Sequence, residues 1–143
     1  MKFKKPKFWD YKKPTIISYL LLPISLILTI LRIVINSTVK KKKYTSIKTV
    51  CVGNIYLGGT GKTSLSLKIN EILGKKIKSC FIKKYYPNQI DEQKILANHG
   101  KLFKSKNRSS SIEQAIHEKF ELAIFDDGLQ DPSIKYDYRI VCF

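Results

Sequence analysis

The pattern that most constrains this chain is a strand, a glycine-rich turn and a helix in direct succession between residues 47 and 74. The segment Ile47–Val52 is β-branched and alternating, as expected of a strand. The turn GNIYLGGTGKT follows it, and apolar residues then recur at mixed helical spacing up to Leu73, after which Gly74 is a typical helix stop. A strand that leads into a helix in this way predicts an α/β fold, with a mostly parallel sheet and flanking helices.

The glycine-rich turn has the composition of a phosphate-binding loop, or P-loop. Its glycines allow backbone N–H groups to face phosphate oxygens, and the N-terminus of the following helix adds partial positive charge. We expect Lys62 to reach the β- and γ-phosphates of ATP, and the Thr63 hydroxyl to ligate Mg²⁺. The strict pattern has a further glycine where this chain has Tyr56. The residues predicted to bind the nucleotide are Gly58, Gly59, Thr60, Gly61, Lys62 and Thr63.

A second motif lies at residues 122–127, where the apolar run LAIF ends in Asp126 and Asp127. An apolar strand that ends in aspartate is typical of a Walker B element, whose carboxylate binds Mg²⁺ beside a P-loop. Ligands of open α/β sheets also bind at the carboxyl ends of strands. We therefore predict Asp126 and Asp127 as metal ligands with Thr63; the alternative is that they are ordinary turn residues.

The remaining pattern alternates short strands with short helices, as parallel pairing requires. The boundary between domains is expected near the lysines at residues 40–43, which gives a basic and apolar segment at 1–45 and a P-loop domain at 46–143. The predicted strands are 78–82, 102–104 and 138–143, the predicted helices are 91–98 and 112–119, and residues 83–90 are predicted to be irregular.

The N-terminal segment contains 18 consecutive uncharged residues, Pro14–Leu31, between lysines on both sides. Its length permits a bilayer crossing, but Pro23 predicts a kink or break, and positive flanks at both ends give no clear topology. We predict a bent helical anchor that lies in the cytoplasmic leaflet, with its lysines at anionic head groups. The alternatives are a core helix that covers the sheet and a true membrane span.

The formal net charge of +16 is unevenly distributed, since residues 1–48 contain 12 of the 27 lysines and arginines and a single acid. This charge flanks the apolar stretch, so no nucleic-acid partner is expected. Three cysteines, without metal-ligand spacing, do not form a disulfide scaffold and indicate a reducing cytosolic compartment.

These motifs together resemble one family, the tetraacyldisaccharide 4'-kinases of lipid A biosynthesis. The resemblance rests on VGNIYLGGTGKT at 52–63, DEQKILA at 91–97 and IFDDGLQ at 124–130, in the order that the family has them. The family likewise lacks the early glycine, which accounts for Tyr56. The similarity extends over the whole chain but over only about the N-terminal half of the family's usual length. Because the chain also stops inside a predicted strand, we expect an incomplete P-loop NTPase-like fold.

The resemblance implies transfer of the ATP γ-phosphate to the 4'-hydroxyl of a lipid A disaccharide 1-phosphate precursor, at the cytoplasmic face of the bacterial inner membrane. By the same resemblance, Lys62 and the loop amides bind phosphates, while Thr63, Asp126 and Asp127 serve Mg²⁺. Asp91 resembles the catalytic carboxylate that takes the proton of the substrate hydroxyl. A helix N-terminal cap is the alternative role for Asp91.

Three departures from the family pattern bear on this expectation. Ser64 replaces a proline, the segment KKYYP at 83–87 occupies the place of an SRGYG-like segment, and Asp131 replaces a histidine. Two other functions are therefore considered: a membrane-associated ATPase of the MinD/ParA type, and a non-catalytic membrane-bound nucleotide-binding fragment. The former has a signature lysine where this chain has Leu57, which counts against it.

Overall fold

A computed structural model of the chain describes residues 11–54, 61–86 and 90–143. The chain divides into two compact units, residues 1–40 and 41–143. The first unit contains helix α1 (Ile16–Thr38). The second contains a sheet with three helices, in the order β1 (Lys48–Asn54), α2 (Lys62–Leu73), β2 (Ser79–Lys84), α3 (Ile90–His99), β3 (Leu102–Ser105), α4 (Arg108–His117), β4 (Leu122–Asp126) and β5 (Tyr138–Cys142).

Among the described residues, the five strands form one parallel sheet in the order β3-β2-β4-β1-β5. The predicted α/β class with parallel pairing is therefore confirmed. Strand β4 lies at the centre and every one of its residues is buried. A continuous apolar strand is typical of a parallel sheet that is covered on both faces.

Successive side chains of the strands supply two hydrophobic clusters, as a period of two requires. Cys51 and Phe125 belong to a cluster that includes Ile112 of α4, whereas Val52 and Ile124 belong to a cluster with Leu96 of α3 and residues of α2. The helices thus cover opposite faces of the sheet. The carboxyl ends of β1 and β4 lie side by side, because Val52 and Asp126 are register partners.

Two predicted boundaries were wrong. Strand β2 continues through Lys84, so Lys83 and Lys84 are not part of an irregular segment. Helix α4 begins one turn earlier than predicted, because the side chain of Asn107 accepts a hydrogen bond from the Ser109 N–H and caps it. A capping signal alone does not determine which of several polar residues caps the helix.

Helix α1 is 23 residues long and continues through Pro23, so the helix is not broken there, and the predicted bend stays a prediction. Proline removes one N–H donor from the interior of the helix. Thr15 and Ser18 form a reciprocal capping box at its start. The helix is long and apolar enough to cross a membrane, a property that signal sequences and core helices share, and none of its residues is buried.

Candidate functional site

The described part of the candidate site lies where β1, β4 and the start of α2 meet. Gly61 precedes α2 in the left-handed conformation, with φ of 74°, which glycine adopts without strain. The two residues after it, Lys62 and Thr63, are therefore the first of the helix. Gly58, Gly59 and Thr60, which were also predicted to bind the nucleotide, lie outside the described residues.

Lys62 points to the carboxyl ends of the strands. Its ammonium group donates to Asn54 Oδ1 at 3.0 Å and lies 3.3 Å from Asp127 Oδ1. Asn54 ends β1 and Asp127 follows β4, so the lysine spans the two neighbouring strand ends. The P-loop lysine and the second aspartate of the DDG motif are thus in direct contact.

Thr63 and Asp126 form the second contact between the two motifs, at 3.5 Å from Thr63 Oγ1 to Asp126 Oδ2. The Asp126 side chain is only 1% exposed. Its other oxygen, Oδ1, is buried and has no hydrogen-bond partner among the described residues. A buried carboxylate oxygen without a partner is costly unless something binds it.

These atoms fit a magnesium ion of the kind found with nucleotides. Mg²⁺ prefers oxygen ligands and commonly takes only one or two carboxylates from the protein, with the rest from phosphates and water. The Thr63 hydroxyl and the unpartnered Asp126 Oδ1 supply such ligands. Within the described ranges no group of three or more His, Cys, Asp or Glu residues could form an all-protein metal site.

Asp127 has a left-handed backbone, with φ of 63°, which is uncommon outside glycine. Two contacts impose it: the Asp127 N–H donates to Val52 O at 2.9 Å, and Arg108 Nη2 donates to Asp127 O at 2.7 Å. The buried Arg108 also pairs with Asp131 at 3.1 Å. The turn after β4 is therefore fixed from α4, and this turn directs the Asp127 carboxylate to Lys62.

Asp91 lies in the first turn of α3 and is exposed. The described contact between this turn and the strand ends is made by its neighbour Glu92, whose Oε2 lies 2.6 Å from Lys83 Nζ. Lys83 in turn lies 2.5 Å from Asp126 Oδ2. The start of α3 is thus linked to Asp126 through one lysine.

Sequence reasoning missed Lys83, because it was assigned to an irregular segment. Its ammonium group is buried and bonded to two carboxylates. Burial by itself lowers the pKa of this ammonium, but the hydrogen bonds and charges of Asp126, and then Glu92, outweigh burial and raise the pKa above its ordinary value. The lysine is therefore positively charged at neutral pH. Arg108 was missed as well, since nothing in the sequence near it indicates a buried residue.

Comparisons with known proteins agree with these motifs. Residues 17–143 match the family described as tetraacyldisaccharide-1-P 4'-kinase. A tetraacyldisaccharide 4'-kinase of Pelagibacter ubique (strain HTCC1062) is 60% identical over 146 aligned residues, which cover the whole chain and 45% of that protein. The tetraacyldisaccharide 4'-kinase of Rickettsia felis is 32% identical, over 99% of the chain and 48% of that protein. The chain thus spans about half the length of the relatives it matches.

The fold is similar to that of a solved structure, the "apo" form of LpxK from Aquifex aeolicus in complex with ATP. The TM-score is 0.72 with 24% sequence identity, and the match covers 85% of this chain and 47% of that protein. This likeness confirms the predicted fold, a mostly parallel sheet with flanking helices.

Proposed function

Because the chain belongs to the tetraacyldisaccharide-1-P 4'-kinase family, we propose that it serves to transfer the γ-phosphate of ATP to the 4'-hydroxyl of a lipid A disaccharide 1-phosphate precursor. The observation that carries the proposal is the contact between two motifs that are distant in sequence. Lys62 contacts Asp127, and Thr63 contacts Asp126. A chance GGTGKT sequence would have no reason to lie against a DDG motif more than 60 residues away. The family match also favours a kinase over an ATPase of the MinD/ParA type.

In the proposed reaction, Lys62 and the loop residues bind the phosphates and hold the γ-phosphoryl group in line with the acceptor. Thr63, Asp126 and Asp127 would hold a Mg²⁺ ion, which would supply positive charge to neutralise the phosphates. Asp127 also keeps the Lys62 ammonium at the strand ends. Phosphoryl transfer requires mainly positioning and charge stabilisation, and these residues supply both.

We propose that Asp91 accepts the proton of the attacking substrate hydroxyl. Two features support this role: Asp91 is exposed at the start of α3, and the same turn is linked to Asp126 through Glu92 and Lys83. A carboxylate that accepts the proton of the attacking hydroxyl must lie beside the γ-phosphate. In this proposal the γ-phosphate would lie at the metal-binding end of β4.

The test is transfer of labelled γ-phosphate from ATP to a tetraacyldisaccharide 1-phosphate in detergent micelles. Lys62→Ala and Asp126→Ala are each expected to lower kcat/KM by about 100-fold or more, because Lys62 supplies positive charge to the transferred group and Asp126 would hold the Mg²⁺ that does the same. Asp91→Ala should lower kcat while ATP binding remains largely intact. Lys68→Ala is the matched control on the same helix, since its exposed pair with Glu71 contributes little.

Unchanged turnover of the Lys62→Ala variant would contradict the phosphate-binding assignment. ATP binding without any phosphate transfer by the unsubstituted protein would instead favour the non-catalytic alternative.

We also propose that residues 1–45 attach the protein to the cytoplasmic face of the bacterial inner membrane, as one functional segment beside a nucleotide-binding domain at 46–143. The serine and threonine hydroxyl groups of α1 support an apolar surrounding, because each has a hydrogen-bond partner within the helix or its cap. Ser25, Thr29, Ser37 and Thr38 all donate to carbonyl oxygens three or four residues earlier. Polar groups satisfied in this way cost less in hydrocarbon.

The membrane proposal predicts binding of the chain to vesicles that contain phosphatidylglycerol. Leu26→Lys places a charge in the middle of α1 and should weaken partitioning by about tenfold or more, because a central lysine costs roughly 2.5–3.5 kcal/mol in a membrane helix. Leu26→Phe, which keeps the apolar character, is the control. Complete release of the unsubstituted chain by high salt would contradict an embedded helix, and protease access to the N-terminus separates a surface helix from a span.

A further inference from the structure

One buried electrostatic feature links the DDG motif to residues outside both motifs: the group formed by Lys83, Asp126 and Glu92. Lys83 and Asp126 are 2% and 1% exposed, and their side chains are 2.5 Å apart. Glu92, at 2.6 Å from the same ammonium group, is about half exposed. A lone lysine charge at this depth would be strongly unfavourable, so the pairing with Asp126 is a requirement of the fold.

The sheet register explains why these two residues meet. Strands β2 and β4 are parallel neighbours, and Ile82 is the register partner of Phe125. One step further along both strands leads to Lys83 and Asp126. Their side chains therefore share one face at the carboxyl ends of adjacent strands, and the contact does not depend on a loop.

The two oxygens of Asp126 have different surroundings. Oδ2 accepts from Lys83 and lies 3.5 Å from the Thr63 hydroxyl, whereas the buried Oδ1 has no partner among the described residues. Lys83 thus fixes the carboxylate through one oxygen and leaves the other for a ligand. Its positive charge also opposes that of any cation bound at Oδ1.

We propose that Lys83 is a positioning residue of the cation site: it holds the Asp126 carboxylate through Oδ2, ties the first turn of α3 to it through Glu92, and lowers the affinity of the site for a divalent metal ion. The inference rests on the proposed function, in which Asp126 binds Mg²⁺. What is new is that the Lys83 ammonium group and the metal ion would share the Asp126 carboxylate. The site accordingly binds the ion weakly by itself and gains affinity from the phosphates of a nucleotide.

The first test measures metal affinity without acceptor substrate, by titration of the chain with Mn²⁺ in the presence of ADP and detection of free Mn²⁺ by EPR. Lys83→Met should bind Mn²⁺ more tightly, on the order of tenfold, because a positive charge next to the ligand is lost. Lys83→Arg, which keeps the charge, should restore weak binding to within a few fold of the unsubstituted chain. Lys104→Met is the matched control, since Lys104 is the register partner of Lys83 on β3 but is exposed.

A second test uses urea unfolding in metal-free buffer and stays informative if Lys83→Met folds poorly. Lys83→Met and Asp126→Asn each leave a buried group without its partner and should lower the unfolding midpoint. The double variant removes both charges, and its loss should be clearly smaller than the sum of the two single losses. Addition of Mg²⁺ should raise the midpoint of Lys83→Met more than that of the unsubstituted chain.

Equal Mn²⁺ affinity of the unsubstituted chain and a folded Lys83→Met variant would overturn the inference, as would additive losses in the unfolding cycle. Failure of the proposed function gives a different result: Asp126→Asn would then bind Mn²⁺ as well as the unsubstituted chain does. The two failures are therefore distinguishable in one set of proteins.

Discussion

Gly128, in the turn after β4, shows how closely single residues are packed beside the candidate site. A Cβ atom at this position would lie 2.8 Å from Tyr136 Oη and 2.9 Å from Cys51 Sγ. Tyr136 also donates to Gly128 O at 3.2 Å, and burial raises the pKa of both the Tyr136 hydroxyl and the Cys51 thiol, that of the thiol to about 11. The neighbours are therefore neutral and buried, and they leave no space for a side chain.

Gly128→Ala is predicted to lower the free energy of unfolding by about 1–3 kcal/mol, because overpacking in a close-packed region forces its neighbours to move. The measurement is urea unfolding followed by circular dichroism. Gln130→Ala, two residues further on and exposed, is the control and should change stability by less than about 0.5 kcal/mol. An unchanged midpoint for Gly128→Ala would show that the turn has room that the contacts do not indicate.

At the scale of elements, α4 helps to position the candidate site from the face of the sheet opposite to α2. Its first residue, Arg108, is buried and bonds to the turn that carries Asp127. The start of the helix therefore determines where the arginine lies. Asn107 fixes that start, since its side-chain oxygen accepts from the Ser109 N–H at 3.0 Å. A loss of the cap would affect both the helix and the turn.

Asn107→Ala is predicted to destabilise the chain by about 1 kcal/mol, the usual cost of an unsatisfied helix N-terminus. Asn107→Asp retains an acceptor at the cap and should stay within a few tenths of a kcal/mol of the unsubstituted chain. Hydrogen exchange of the Ser109 amide provides the direct measurement, with faster exchange expected in the alanine variant only. Equal exchange in both variants would contradict the capping role.

For the whole molecule, acid stability depends on carboxylates that are paired in the folded state. Asp131 is such a group: burial alone raises its pKa, but hydrogen bonds from Ser133 and the pairing with Arg108 outweigh burial and hold the pKa below its ordinary value. A carboxyl group with a lowered folded pKa stabilises the fold fully above its unfolded pKa. That stabilisation is lost as the pH falls through the folded pKa.

Asp131→Asn is therefore predicted to be less stable than the unsubstituted chain between pH 5 and 7, by about 1–3 kcal/mol, because the buried Arg108 loses its charged partner. The difference should shrink as the pH falls below about 4, where the wild-type carboxylate also takes up a proton. Urea unfolding midpoints of Asp131→Asn and of the unsubstituted chain, taken across pH 2.5–7, measure this difference in stability. Glu71→Gln is the control, since this exposed carboxyl also has a lowered pKa but contributes no measurable stability. A pH-independent difference would exclude the ionic contribution.

Much of the candidate site could be predicted from local sequence, because the residues within each of its two motifs are adjacent in the chain. The strand, the turn and the helix around residues 47–74 form a contiguous pattern, and the DDG motif directly ends an apolar strand. Their order along the chain also implied the family, and the family match confirms it. The parallel sheet could be predicted from the alternation of strands and helices. Parallel strands cannot be joined by tight hairpins and need a longer crossover, which is usually a helix.

The sequence by itself determined the α/β class, the glycine-rich motif between a strand and a helix, the aspartate pair after a buried strand, and the apolar N-terminal helix. Only the tertiary structure decided that Lys83 lies against Asp126 and that Arg108 fixes the turn after β4. Both lysine and arginine are residues that sequence patterns assign to the surface. Their burial depends on how the strands and helices pack, which brings Lys83 to the Asp126 carboxylate across 43 residues of chain and Arg108 to the Asp127 carbonyl across 19. Local patterns carry no information on such long-range pairing.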